Sequence, residues 1–140
     1  MRRDDGSTLP LALFFGMLCL VLVFAVVSAT SLYLERKRLF TLADGAALVG
    51  AESFDLDDVT ETPSGYRPTL TSPTVEAAVR GYLDAMPDTF DSLALQSAGT
   101  DDGRSATVTL SCYWSAPIVS LLVPDGLRIE VTSVARSVFG

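Results

Sequence analysis

The side chains able to do chemistry are few and scattered. The 140-residue chain contains no histidine and two cysteines, Cys19 and Cys112, so the commonest general base and the commonest metal ligand are missing. Its serines have no imidazole to activate them, and no glycine-rich phosphate loop occurs. Asp55, Asp57, Asp58 and Glu61 bunch as they would in a calcium loop. Their spacing lacks the central glycine and the terminal glutamate that such a loop requires, so they read as a solvated connection. Cys19 falls in an apolar run and Cys112 in a strand-like segment; both read as small buried apolar residues rather than a disulfide pair. No catalytic, cofactor-binding or metal-binding residue is expected, and no small-molecule substrate. From Asp44 onward fourteen acidic residues stand against five arginines, a net charge of -9 for that portion. Such a surface repels phosphate backbones, which excludes nucleic acid as a partner class.

With catalysis set aside, the elements carry the argument. LPLALFFGMLCLVLVFAVVSATSLYL runs without a charge over twenty-six positions, Leu9 to Leu34. Roughly 20 apolar residues cross the hydrocarbon core of a bilayer, so the run predicts a transmembrane helix over 9–34 and makes the lipid bilayer a partner. Pro10 suits the first turn, with Ser7 or Thr8 as cap, and Tyr33 stands where an interfacial aromatic belongs. A cleaved signal peptide is the rival reading, since Arg2 and Arg3 precede the run and Val27-Ser28-Ala29 loosely fits a cleavage site; the apolar stretch is longer than such peptides use. Arg2 and Arg3 nearly balance Arg36, Lys37 and Arg38 across the span, so charge alone leaves orientation open.

The helical pattern does not stop at the span. Leu39, Leu42, Ala43, Ala46, Val49 and Gly50 recur at spacings of three and four, and no proline falls between Pro10 and Pro63. One helix over about residues 9–53 follows, its second part, 35–53, an amphipathic stem. Ala43, Ala47 and Ala51, with Ala46 and Gly50, form rows of small residues that would let another backbone approach closely. Together with Asp44 they are the candidate assembly surface. Two plainer readings stand beside it: alanine is a good helix former, and Asp44 fits an exposed helix surface as well as a pairing across subunits. Gly45 and Gly50 lower helix propensity and ask for a compensating reason.

Gly6 before the span, the Leu-Tyr-Leu exit, the basic patch and Leu42-Ala43-Asp44-Gly45-Ala46-Ala47-Leu48 together resemble the amino-terminal segment of bacterial TadE/TadG-like pilus-assembly proteins. These are pseudopilin-like components of the tight-adherence (Flp) machinery. The resemblance covers residues 5–54 and extends weakly to the carboxy-terminal strands, as in short actinobacterial-type members. It implies a minor structural or assembly subunit with other pilus-assembly or pseudopilin subunits as partners. It also implies a cytoplasmic tail over residues 1–8 and a domain on the far side of the cytoplasmic membrane. Gly6 and Ser7 would flank a prepilin-type cleavage site, but Leu11 stands at the mature position where such substrates carry glutamate. The alternative function is a secreted or membrane-anchored binding domain unrelated to pili.

Beyond the stem, residues 54–72 read as a polar loop and 73–140 as a small extracytoplasmic domain of α+β class, with one helix and an antiparallel sheet of about three strands. Ser72 as cap and Pro73 as first residue open the helix, whose apolar stripe is Val75, Ala78, Val79, Tyr82, Leu83 and Met86. A strand over 90–98 and a turn at 100–103 lead into an alternating strand with Ala106, Val108, Leu110, Cys112 and Trp114 on one face. A last strand places Leu127, Ile129, Val131, Ser133 and Ala135 inward. Ile118, Val119, Leu121, Leu122 and Val123 form an apolar cluster, read as a short helix folded back on the sheet or as a partner patch.

Overall fold

The computed structural model describes residues 8–54, 59–63, 65–87, 89–116, 120 and 124–136. Helix α1 runs unbroken from Thr8 to Ala51, 44 residues, or about 66 Å at 1.5 Å per residue. It starts beside Pro10, whose missing N–H costs nothing in the first turn. It ends where the Ser53 hydroxyl donates to the Gly50 carbonyl at 2.7 Å.

Strands β1 (Val59–Thr62) and β2 (Gly65–Pro68) pair as an antiparallel hairpin within the stretch read from sequence as a polar loop, 54–72. Thr62 faces Gly65 across the connection. Val, Thr and Tyr favour strands, but four residues carry too little alternation to declare one.

Helix α2 (Ser72–Asp84) carries Pro73 in its first turn, with Val75 and Val79 fully buried and Tyr82 and Leu83 packed beside them. Met86, expected on the stripe, is exposed because the helix stops before it. The cap falls one residue earlier than expected. Thr71 holds that position in extended geometry, with no side-chain bond to the helix backbone. Ser72 bonds away from its own helix instead. Its hydroxyl donates to the Thr100 carbonyl at 3.2 Å and accepts from the Thr100 N–H at 3.1 Å, tying the start of α2 to the sheet.

Strands β3 (Ala94–Gly99), β4 (Ser105–Trp114) and β5 (Leu127–Arg136) form one antiparallel sheet in sequential order. The fold is thus α+β, with a long apolar amino-terminal helix, a short helix and a three-stranded sheet. β4 buries its expected face from Ala106 to Trp114. β5 buries Ile129, Val131 and Ser133, but leaves Leu127 about half exposed at the sheet's end. α1 crosses β4 and β5 while α2 lies over β3 and against α1. Both helices therefore cover the apolar face of the sheet and close one core between two layers.

Asp102 shapes the turn into β4. Its Oδ1 accepts the N–H groups of Arg104 at 2.8 Å and Ser105 at 2.7 Å, and these bonds lower its pKa from 3.8 to about 2. A carboxyl depressed in the fold contributes stability above its unfolded pKa and loses it as pH falls through its folded pKa. The fold should lose stability between about pH 5 and pH 2, and Asp102→Ala should shrink that loss. Thermal melts of both proteins across this interval measure it; parallel pH slopes would show that the turn bonds have no such role.

Candidate assembly interface

The small-residue rows of α1 already have a neighbour, and it is the chain itself. Ala43, Ala46, Ala47 and Ala51 are fully buried, together with Leu39 one turn earlier, in the same core as Val75, Val79, Ala106 and Val108. A methyl group added at Gly50 would lie 3.0 Å from Val75 Cγ1, 3.1 Å from Ala106 Cβ and 3.3 Å from Val79 Cγ2. One added at Gly45 would lie 2.5 Å from the Tyr82 hydroxyl. At Gly45 the α2 side chain Tyr82, and at Gly50 both α2 and β4, come close to the α1 backbone. That closeness is the compensation their low helix propensity demanded.

The small side chains of the surface expected for assembly are thus covered by the chain's own α2 and sheet. Ala43, Ala46, Ala47, Gly50 and Ala51 face inward because the stem helix forms one wall of the core, a use that row spacing cannot distinguish from contact with another molecule. Asp44 stays on the exposed side of the row, where its carboxylate accepts a hydrogen bond from the buried Ser133 hydroxyl on β5. A charge expected on a free helix surface or between subunits is held within the chain. The bond also explains how β5 carries a polar residue among Val131 and Ile129 on its inward face.

The helix before Leu39 differs sharply. Every side chain from Thr8 to Val27 is exposed, among them Leu9, Phe14, Met17 and Val26. An uninterrupted apolar surface of this length has no aqueous role, and α1 is long and apolar enough to cross a membrane. Cys19 lies on this surface rather than in a protein core, while Cys112 is buried; both are free thiols. Burial pushes the Cys112 thiol pKa up, with Glu35 and Asp91 adding to the effect, which makes it unreactive.

Where bare helix meets domain, the indole N–H of Trp114 donates to Ser31 Oγ at 3.3 Å. The end of β4 is thereby fastened to the last polar turn of the apolar run. Sequence reasoning placed Trp114 inward but missed this partner; a serine in an otherwise greasy stretch was the available signal. Among the described residues no group of three or more acidic or sulfur ligands comes together. Gly6, Ser7, Asp55, Asp57 and Asp58 lie outside the described residues, as do Ile118, Val119, Leu121, Leu122 and Val123.

Residues 6–53 match the family model described as "Tad: Putative Flp pilus-assembly TadE/G-like". In this helix the chain is similar to the TadE/G-like family. The TadE/G-like segment contains the bare apolar half, the basic patch and the buried small-residue rows, and it ends two residues beyond α1. It is 48 residues of the 140. No curated protein and no solved structure matches the chain.

Proposed function

We propose that the protein is a minor, pseudopilin-like structural or assembly subunit of a Tad/Flp pilus or related secretion apparatus. It crosses the cytoplasmic membrane once, with its tail inside and its α+β domain outside, and works by helix association without catalysis. The match of residues 6–53 to the TadE/G-like family carries this reading. The burial of the stem supports a particular surface for association. With the stem rows occupied in the core, the surface left for neighbouring subunits within the bilayer is the bare part of α1, where Ala12 and Gly16 lie one turn apart beside Leu13 and Leu20. Small residues at such spacing permit close helix contact in lipid.

Two measurements test this reading. A reporter fused after Gly140 should be active only outside the cytoplasm, and cytoplasmic activity would overturn the orientation. A photo-crosslinking residue at Gly16 should capture another pilus-assembly component in native membranes. Capture of lipid alone would remove the bare helix as an assembly surface.

A further inference from the structure

A groove opens between α1 and β5 at the point where the apolar helix meets the domain. Leu32, Tyr33 and Arg36 form its helix wall, and Leu127, Arg128 and Ile129 its strand wall; its volume is about 440 Å³. Tyr33 and Leu127 are exposed at 66% and 48%, so an apolar rim faces outward rather than into the core.

The depth of this groove follows from helix geometry. Twenty residues beginning at Leu9 span roughly 30 Å, the thickness of the hydrocarbon layer. The next few residues, from about Ala29, then lie in the headgroup zone, which extends roughly 5–8 Å on each side. Ala29, Leu32 and Tyr33 line the groove, so with the span starting at Leu9 it opens at headgroup level.

Its charge is also distinctive. Glu130 lines the groove as well but is paired with Arg128 at 2.9 Å. Glu35 faces Arg38 at 3.9 Å, and among the described residues Arg36 has no ion-pair partner. Arg36, Lys37, Arg38 and Arg128 thus outnumber Glu35 and Glu130 in a collar around the membrane exit, on a chain whose portion from Asp44 is strongly acidic. A cationic, partly apolar groove at that depth complements a phosphate diester with acyl chains below it.

We propose that this groove binds the headgroup of an anionic phospholipid in the leaflet on the domain's side, with Arg36 as the principal phosphate contact and Arg128 as its partner across the groove. Tyr33 and Leu127 cover the glycerol and upper acyl region. The bound lipid seats the domain on the membrane surface with its cationic edge down.

This proposal rests on α1 spanning the bilayer, which is checked separately: the full-length protein should resist alkaline extraction from membranes, and extraction would overturn both readings together. For a protein that stays in the membrane, detergent-solubilised full-length chain is incubated with equal amounts of phosphatidylglycerol and phosphatidylcholine and repurified, and retained lipid is quantified by mass spectrometry. Phosphatidylglycerol should be enriched at least about threefold. Enrichment should disappear in Arg36→Gln/Arg128→Gln, whose exposed side chains leave the core and the Trp114 emission unchanged. It should largely persist in Lys37→Gln/Arg38→Gln, and excess inorganic phosphate should not displace the lipid. Equal retention of both lipids by the unaltered protein would overturn the proposal. So would equal loss in the two double variants, which would indicate a diffuse basic patch, or displacement by inorganic phosphate, which would indicate a simple anion site.

Discussion

A fragment beginning at residue 54 should fail to fold, whereas one beginning near Arg36 should fold as a soluble domain. Circular dichroism and denaturant titration of the two fragments check this. The shorter fragment retains α2 and the sheet, which the sequence alone presents as a self-sufficient module with a helix stripe facing alternating strands. In the structure those surfaces do not close on each other. Leu39, Ala43, Ala46, Ala47, Gly50 and Ala51 fill the space between them. Without α1, Val75, Val79, Ala106, Val108 and Leu110, all fully buried in the intact chain, would meet water. Fully burying one such aliphatic side chain is worth about 1.5–3 kcal/mol, and several are at stake in a fold whose net stability is of the order of 5–15 kcal/mol. A cooperative transition in the fragment 54–140 would show that the stem decorates the domain instead of completing it.

Gly50→Leu should be the most damaging single substitution on the helix. Overpacking a full core usually costs about 1–3 kcal/mol, and Gly50 stands at the upper end. Even its first added carbon would meet Val75, Ala106 and Val79 at 3.0–3.3 Å. These neighbours are fully buried and belong to two different elements, so no single side chain can swing away. Gly45→Ala provides the contrast. Its nearest obstacle is the hydroxyl end of Tyr82, a partly buried ring on a helix edge that can rotate outward. The substitution gains up to about 1 kcal/mol in helix propensity. Chemical denaturation of the domain should therefore separate a loss of about 3 kcal/mol for Gly50→Leu from a change within about 1 kcal/mol for Gly45→Ala. Equal effects would mean that α2 is free to move away from α1.

The same residues show what the sequence could and could not disclose. The course of α1 was readable because nothing between Pro10 and Pro63 breaks a helix and because apolar residues recur at its period. β4 was readable from strict alternation along ten residues. The destination of the small-residue rows was not readable. A row of Ala and Gly states that something comes close, and the identity of that neighbour depends on how the chain returns from residue 54 onward. The connection between Asp44 and Ser133, 89 positions apart, has no local signature for the same reason. Neither does the fastening of Trp114 to Ser31, 83 positions away. The cap of α2 was misplaced by one residue because Thr71 and Ser72 are equally suited to the position, and only the proximity of Thr100 decides between them.

The continuity of α1 has a mechanical meaning. Because the bare apolar half and the half at the centre of the domain belong to one unbroken helix, the two parts share one axis and one angular phase, with no swivel between them. Inserting a single residue between Ala29 and Arg38 would turn the domain by about 100° around that axis relative to the bare face, while raising it only about 1.5 Å. Inserting four residues would bring the facing back to within about 40° and raise the domain by about 6 Å. Any neighbour that grips the bare helix therefore also sets the compass bearing of the domain above it.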